Sequence, residues 1–377
     1  MRHRAEAAGW MARSVRRARS ARSARSKGRA GLLVGLALLA AGCVSTKLTP
    51  KDLPEEPIAF LYWEEREGGK RKEIFEKAAE LPPRPPDVED EERMQEIEIR
   101  AHVRGEISPI LQQKLAKYPG RLTLLWPHTG RLETVEAAPP DAIPLAWSKD
   151  RLRLLFASAH RGGKLQLYEY HLARKDLRPL TTGPAEHARG DYAPGGGLVV
   201  QRIRRSSPVG AARQSVHLAS ETGRIGRAIG RDVPPGTLRI SPQGDRIVYE
   251  QVLVRPREDG PTVYESMIAV RSLESGSREE LIGKGREPTW TPDGEWIVFA
   301  SESASGYRLR RMRPDGTTRV PIGPGTSDER MPSVSPDGAY VAFIDAGNGR
   351  RRLAVRSFDG KRERVLVTKG WSELPVW

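Results

Sequence analysis

The sequence contains a single cysteine, Cys43, among 377 residues. One thiol cannot form a disulfide within the chain, so a disulfide-stapled scaffold is excluded. The apolar segment of residues 31–41 has about 11 residues, well short of the roughly 20 that a membrane-spanning helix requires. This segment is therefore not expected to remain in a membrane as a permanent helix.

The sequence patterns of catalysis are also missing. Neither the Gly-x-Ser-x-Gly elbow of hydrolases nor the His-Glu-x-x-His pattern of zinc peptidases occurs. The glycine-rich stretches at 223–226 and 323–325 lack the lysine and the strand–loop–helix context of a phosphate-binding loop. We therefore predict no catalytic residues, no metal site and no cofactor. An enzyme with an unrecognised site is the third-ranked hypothesis.

The N-terminal segment joins a basic stretch to the apolar one. Its first thirty residues hold ten Lys/Arg and one acid, and the apolar run ends in the sequence LAAGC, residues 39–43. This order resembles the signal peptide and lipobox of bacterial lipoproteins, in which small residues precede a cysteine that receives diacylglycerol. The resemblance implies that residues 1–42 are removed and that lipid, including palmitate, on Cys43 holds the protein to a membrane.

By the same resemblance, Val44 after the cysteine, rather than aspartate, favours the outer membrane, with the protein on its periplasmic face. Two alternatives stay open, namely an uncleaved N-terminal anchor and a buried free cysteine. Translation from Met11 instead of Met1 would shorten the basic region.

Charge argues against a nucleic-acid partner. The formal net charge is +15, but the signal segment alone carries +9, which leaves about +6 on the mature chain. The remaining 53 basic and 47 acidic residues form no long basic block. We interpret them as a solvated mixed surface, with weak attraction to anionic lipid or polysaccharide as the minor alternative.

One segment of the sequence recurs along the chain. Residues 290–299, WTPDGEWIVF, return as residues 334–343, VSPDGAYVAF, and weaker copies begin at positions 147, 192 and 240. The positions equivalent to the proline are 149, 194, 242, 292 and 336, so the intervals are 45, 48, 50 and 44 residues. This is the period of a four-stranded propeller blade.

The repeat suits a strand–turn–strand unit. Proline presets φ in a tight turn, aspartate bonds back to the backbone, and glycine accepts positive φ. The predicted structural turn caps are Asp150, Asp293, Gly294, Asp337 and Gly338. Repetition at blade spacing disfavours the alternative that these aspartates are catalytic or bind calcium. The apolar triplet after each turn predicts a buried strand, and the downstream residues predict an outer hairpin.

The two ends of the chain complete the pattern. Residues 58–62 match the buried strand and residues 122–135 an outer hairpin, while residues 373–377 match those just before the turn at 291. We predict an all-β, six-bladed β-propeller over residues 57–377, in which the C-terminal strand closes the first blade and leaves no sheet edge open. Residues 43–56 are predicted to be a tether.

The Ser/Thr-Pro-Asp-Gly turns followed by Ile-Val-Phe resemble the WD-like repeats of TolB-type propellers, over most of residues 57–377. The resemblance implies the fold. It leaves the function open, because such propellers occur in scaffolds, in binding proteins and in peptidases.

Residues 64–120 interrupt the first blade where the other blades need only a short loop. Two short helices are predicted there, one capped by Asp87 and one opened by Ser108-Pro109. Their apolar positions form a candidate docking surface: Met94, Ile97, Ile110, Leu111 and Leu115. The alternative is that these helices pack on the propeller or plug one face.

These patterns predict a non-enzymatic, lipid-anchored envelope protein that acts as a scaffold for protein–protein interaction. The alternative is a module that binds a small ligand, a peptide or a cell-wall glycan in the propeller channel. The partners implied are the membrane, through the lipid on Cys43, and an envelope protein.

The variant Cys43→Ser should move the protein from the membrane fraction to the soluble periplasm without changing its thermal midpoint, because the thiol serves only as the lipid acceptor. Fractionation and thermal unfolding followed by circular dichroism measure both properties. Ser45→Ala is the matched control and should stay in the membrane fraction. Retention of the Cys43→Ser protein in the membrane would refute lipid anchoring at this residue.

Overall fold

The computed structural model describes residues 47–80, 117–205, 212–231, 236–257, 260–274, 276–304, 306–325 and 327–377. In this part of the chain the strands form six antiparallel sheets of four strands each. The sheets are the blades of a six-bladed β-propeller, so the predicted fold class is confirmed.

The blades follow one another along the chain, and the strands of each blade run in order from the innermost to the outermost. Blade 1 contains β24 (Trp371–Val376), β1 (Ile58–Trp63), β2 (Arg121–Trp126) and β3 (Arg131–Thr134). Blade 2 contains β4 (Ile143–Trp147), β5 (Arg153–Ser158), β6 (Gln166–His171) and β7 (Asp176–Pro179). Blade 3 contains β8 (Glu186–Tyr192), β9 (Leu198–Arg205), β10 (Ala212–Ala219) and β11 (Ile225–Arg231).

The other three blades have the same order. Blade 4 contains β12 (Leu238–Ile240), β13 (Arg246–Arg257), β14 (Gly260–Ser272) and β15 (Glu279–Lys284). Blade 5 contains β16 (Arg286–Trp290), β17 (Ile297–Ser303), β18 (Gly306–Met312) and β19 (Val320–Pro321). Blade 6 contains β20 (Glu329–Val334), β21 (Tyr340–Asp345), β22 (Arg352–Ser357) and β23 (Glu363–Val365).

The core lies in layers between neighbouring blades. The second strand of a blade is covered on both faces by the adjacent blades, so its apolar residues are consecutive rather than alternating. An aromatic side chain is fully buried at the equivalent place in five of these strands: Phe60, Phe156, Tyr249, Phe299 and Phe343. This burial explains why the apolar triplet is the strongest part of the sequence repeat.

The ring closes where the two ends of the propeller meet. Strand β24 pairs antiparallel with β1, with Ala59 opposite Val376 and Trp63 opposite Trp371. The predicted closure of the first blade by the C-terminal strand is therefore confirmed. Strand β24 thus takes the innermost position of blade 1, and β1 is paired on both sides like the second strand of every other blade.

Trp377 holds this closure in place and is only 5% exposed. Its backbone N–H donates to Ser333 Oγ at 2.9 Å, and its indole Nε1 donates to the Glu56 carbonyl at 3.1 Å. Its ring also stacks on Tyr340, with centroids 6.4 Å apart. One residue thus connects blade 6, blade 1 and the residues that precede β1.

The insertion begins with a helix that the sequence patterns did not predict. Helix α1 (Glu65–Glu80) directly follows β1, whereas the first predicted helix was placed after Asp87. The region from Asp87 to Leu115, with both predicted helices, lies outside the described residues. The described helices include none that is long and apolar enough to cross a membrane.

The predicted tether is also corrected in part. Residues 47–56 pack against the propeller instead of extending freely, and Leu48 and Leu53 are buried in the cluster between blades 6 and 1. A short 3-10 turn, Pro50–Asp52, lies between them. Apolar side chains at these two positions make the packed conformation favourable.

Trp377→Ala should lower the free energy of unfolding by about 3–5 kcal/mol, the usual cost of removing a large buried aromatic side chain. Denaturation with guanidinium chloride, followed by intrinsic fluorescence and circular dichroism, measures it. Trp296→Ala is the matched control, because Trp296 is half-buried and outside the closure. Equal losses in the two variants would show that ring closure contributes no special stability.

Candidate functional site

The propeller has two faces of different character. In blades 2–6, the first-to-second and third-to-fourth strand turns open on one face, and the second-to-third strand connections open on the other. We name these the turn face and the insertion face. The turn face carries the short repeated turns, while residues 64–120 leave and return on the insertion face, between β1 and β2.

A long ribbon in blade 4 also projects from the insertion face. Strands β13 and β14 pair from Arg246 opposite Ser272 out to Arg257 opposite Gly260. The inner neighbour β12 pairs only as far as Tyr249, and the outer neighbour β15 begins its pairing at Met267. Both large departures from the regular blade therefore lie on one face.

The start of the insertion is seated tightly on blade 1. A Cβ atom at Gly68 would lie 2.9 Å from Trp371 Cβ, so glycine allows helix α1 to approach β24 closely. One turn later, the Arg71 guanidinium stacks over the Trp63 ring at 4.2 Å. Burial lowers the pKa of Arg71, and the nearby carboxylates of Glu373 and Asp141 act in the opposite direction.

The return of the insertion is held in the same place. Trp63 Nε1 donates to the Tyr118 carbonyl at 2.8 Å, and Arg71 Nη1 donates to the same oxygen at 3.3 Å. Gly120 N–H donates to Asp141 Oδ1 at 2.7 Å, while Asp141 N–H donates back to the Gly120 carbonyl at 2.9 Å. The two ends of the insertion therefore share one rigid base, which we name the insertion base.

Charged side chains near the insertion-face ends of the strands are paired with one another. In each pair an arginine forms an ion pair with a carboxylate and also lies over an aromatic ring. The pairs are Arg286 Nε with Glu250 Oε1 at 3.0 Å, Arg330 Nε with Asp328 Oδ1 at 3.2 Å, and Arg351 Nε with Glu373 Oε1 at 3.1 Å. Within each pair the two charges neutralise each other.

Side chains of neighbouring blades also bond around the channel. Glu287, Met331 and Leu374 occupy equivalent positions before a proline, and all three have positive φ, between 53 and 55°. Met331 N–H donates to Glu287 Oε2 at 2.6 Å, and Leu374 N–H donates to Met331 Sδ at 3.4 Å. The strained bulges at Met331 and Leu374 thus receive a partner from the preceding blade, which ties the innermost strands together.

An arginine on the innermost strand of blade 4 reaches past blade 3 to blade 2. Arg239, on β12 of blade 4, donates through Nη1 to the Leu145 carbonyl on β4 of blade 2. On blade 3 between them, Asp191 Oδ2 accepts from Ile240 N–H at 3.0 Å. Both charged side chains are half-buried. Burial raises the pKa of Asp191 and lowers that of Arg239, and their opposite charges counteract both shifts.

Polar contacts in blade 3 include one that resembles a nucleophile with its base. Ser215 Oγ lies 2.9 Å from His217 Nε2, but His217 Nδ1 contacts the Gly226 carbonyl at 3.1 Å rather than a carboxylate. Burial lowers the pKa of the neighbouring His187 to about 4. Among the described residues, no group of three His, Cys, Asp or Glu side chains is arranged to hold a metal ion.

The turn caps named from the sequence lie on the turn face. Asp293 Oδ1 accepts from Thr291 Oγ1 at 2.5 Å and from Glu295 N–H at 2.9 Å, while Gly294 has φ of 73°. Asp337, Gly338 and Asp150 repeat this geometry in their own blades, except that the non-glycine residue Arg151 takes the positive φ after Asp150.

The other predicted site residues lie outside the described part of the chain. They are the lipidation residue Cys43 and the candidate docking residues Met94, Ile97, Ile110, Leu111 and Leu115. The structure adds the insertion base, which was not predicted from the sequence. A partial signal was present, because the acidic residues at the start of α1 are favourable in the first turn of a helix.

Comparison with known proteins relates this architecture to one group of solved structures. No protein-family model matches the sequence, and no curated protein matches it. TolB from Acinetobacter baumannii superposes with a TM-score of 0.56 at 15% identity, over 85% of this chain and 66% of that one. Putative TolB from Agrobacterium tumefaciens gives 0.51 at 23% identity, over 64% and 86%. The fold is that of a TolB-type six-bladed propeller.

The resemblance inferred from the Ser/Thr-Pro-Asp-Gly turns is thereby confirmed for the fold. At these identities the likeness concerns the fold alone. The chain spans slightly less than two thirds of the Acinetobacter protein, so activity and partners have to be argued from this chain's own residues.

Asp150→Ala should lower the free energy of unfolding by about 1 kcal/mol at neutral pH, since it removes two hydrogen bonds on a half-exposed turn. The Ser148 hydroxyl holds the pKa of Asp150 below its ordinary 3.8. The stabilisation is therefore present above that value and disappears as pH falls through the lowered pKa. Denaturant titrations from neutral to acid pH measure it, with Lys149→Ala as control. A pH-independent difference would contradict a role for the carboxylate.

Proposed function

We propose that this protein is a lipid-anchored, non-enzymatic scaffold of the bacterial envelope that binds another envelope protein through its insertion face. The observation that carries the proposal is the division between the two faces. Regular turns occupy one face, while the insertion and the long ribbon of blade 4 project from the other. Segments that the fold does not require, placed on a rigid scaffold, are where binding function is usually found.

The insertion base supports this proposal because it fixes where the insertion leaves and returns. Gly68 against Trp371, Arg71 over Trp63, and the paired hydrogen bonds of Gly120 and Asp141 hold both ends on blade 1. A partner that binds the insertion would therefore meet a surface with a defined position on the propeller. Pre-organisation of this kind reduces the entropy lost on binding.

The channel supports ligand binding less well. Arg239 on its wall is bound to the Leu145 carbonyl, and the charges near the insertion-face end of the inner strands already neutralise one another. A ligand would have to displace these contacts before it gained any of its own. Partner binding on the insertion face requires no such displacement.

Deleting residues 64–120, with a short Gly-Ser turn joining β1 to β2, should abolish capture of the partner by affinity purification from membranes. Thermal unfolding verifies that the shortened propeller still folds. The control is Lys149→Glu with Lys175→Glu, two exposed residues of the turn face in blade 2, which should keep the partner. Recovery of the same proteins with the deletion variant and the control would refute docking on the insertion.

Site-specific photo-crosslinking in intact cells tests the same face without a deletion. A photoreactive residue at Lys70 in helix α1 or at Arg161 in the loop after β5 should give a discrete crosslinked product, whereas one at Lys149 or Lys175 should not. Crosslinking only from the turn-face positions would place the partner on the opposite surface.

A further inference from the structure

The residues between the proposed lipid site and the first strand are bound to the propeller. We name residues 47–56 the latch. Leu48 is fully buried and Leu53 is 5% exposed, both in the cluster that also holds Tyr340 and Trp377. These two leucines anchor the segment at each end of its short 3-10 turn.

Hydrogen bonds fix the latch along its length. The Leu48 carbonyl accepts from Arg364 Nη1 at 3.1 Å, and the Asp52 carbonyl accepts from Tyr340 Oη at 2.6 Å. Near its end, the Glu56 carbonyl accepts from Trp377 Nε1 at 3.1 Å. Carbonyls at the start, middle and end of the latch are thus held by side chains of blade 6 and the closing strand.

An internal contact also stiffens the latch. Asp52 Oδ2 accepts from Thr49 N–H at 2.8 Å and from Thr49 Oγ1 at 2.7 Å. Arg362 Nη1 lies 3.7 Å from Asp52 Oδ1 and ties the turn to blade 6. The segment is therefore a fixed part of the propeller surface and not a flexible linker.

The partners of the latch show which surface it follows. Arg362 and Glu363 lie at the third-to-fourth strand turn of blade 6, Tyr340 directly follows the first-to-second strand turn, and Trp377 follows the end of β24. All of these belong to the turn face. The backbone of Lys47 forms an isolated parallel β-bridge with that of Glu363 in β23, the outermost strand. The chain therefore enters at the outer corner of the turn face in blade 6.

We infer that this corner of blade 6 is a membrane-contact surface, which directs the turn face toward the bilayer and the insertion face away from it; the inference rests on the proposed anchoring through Cys43. Cys43 lies four positions before Lys47, so even fully extended chain spans at most about 14 Å. A flexible linker would leave the orientation of the propeller relative to the bilayer undetermined, whereas a fixed entry point this close to the lipid restricts it.

Charge at the corner is compatible with phospholipid headgroups. Three exposed lysines, Lys47, Lys51 and Lys361, flank the entry point, and Lys361 Nζ lies 3.7 Å from Asp359 Oδ2. The long lysine side chain lets the ammonium group contact headgroup phosphates at the membrane–water interface while it stays hydrated. The orientation presents the insertion face to partners on the side facing away from the lipid.

Fluorescence quenching in proteoliposomes tests the orientation. The full lipoprotein is reconstituted in phosphatidylethanolamine and phosphatidylglycerol vesicles that contain a headgroup spin-labelled lipid. In the lipidated protein the sulfur of Cys43 is alkylated, so a thiol-reactive fluorophore marks only an introduced cysteine. Lys361→Cys, on the proposed contact surface, should lose most of its fluorescence, and Arg161→Cys, on the insertion face, should lose little.

Releasing the latch provides the second arm of the experiment. Leu48→Asp should remove the difference between the two labels while the protein stays on the vesicles, and Glu55→Gln, an exposed change in the same segment, should preserve it. In vesicle-bound protein with an unchanged latch, equal quenching of the labels at 361 and 161 would overturn the orientation and leave anchoring intact. Stronger quenching at 161 would do the same. Protein that does not associate with vesicles, and shows no quenching, would overturn the anchoring and the contact surface together.

Discussion

The pairing of β24 with β1 is the constraint on which the rest of this structure depends. If every blade were one consecutive stretch of chain, only side-chain packing would hold the first and last blades together, whereas a C-terminal strand within the first blade adds backbone hydrogen bonds. In this chain Val376 lies opposite Ala59 and Trp371 opposite Trp63. The closure joins six sheets into a single ring, in which the apolar second strand of each blade is buried between two others.

The same junction connects the latch and the insertion base. Trp377 binds the latch through the Glu56 carbonyl, and Trp371 at the other end of β24 supports helix α1 at Gly68. Closure, latch and insertion base therefore share one strand. A change that loosened β24 would disturb all three, because their contacts use its opposite ends.

The division between faces provides a physical basis for the proposed scaffold. Blade-to-blade bonds from Met331 and Leu374 and the Arg239 contact between blades 4 and 2 hold the innermost strands together. A ring tied in this way moves as a unit, so a partner on the insertion face and a lipid at the opposite corner would keep a constant relative orientation.

Local turn chemistry explains why so much of the fold was predictable. The Asp-Gly turns, the apolar triplets and the blade-length period depend on neighbouring residues, and they identified six blades, the closing strand and the insertion between Trp63 and Arg121. Helix α1 was missed because Gly68 and Gly69 weaken its helix signal; Gly68 is needed for contact with Trp371, and only the folded ring brings those two residues together.

The latch shows which features could not be predicted from the sequence. The sequence Thr49-Pro50-Lys51-Asp52 contains a local capping signal, so a short turn was in principle visible. Its docking was not, since Tyr340 and Trp377 are 288 and 321 residues from their latch partners. The repeat, the ring and its closure can be read from the residues alone, because they follow from local periodicity. The point where the chain enters the ring and the arrangement of its faces emerge only on folding, because those contacts join residues that no local pattern relates.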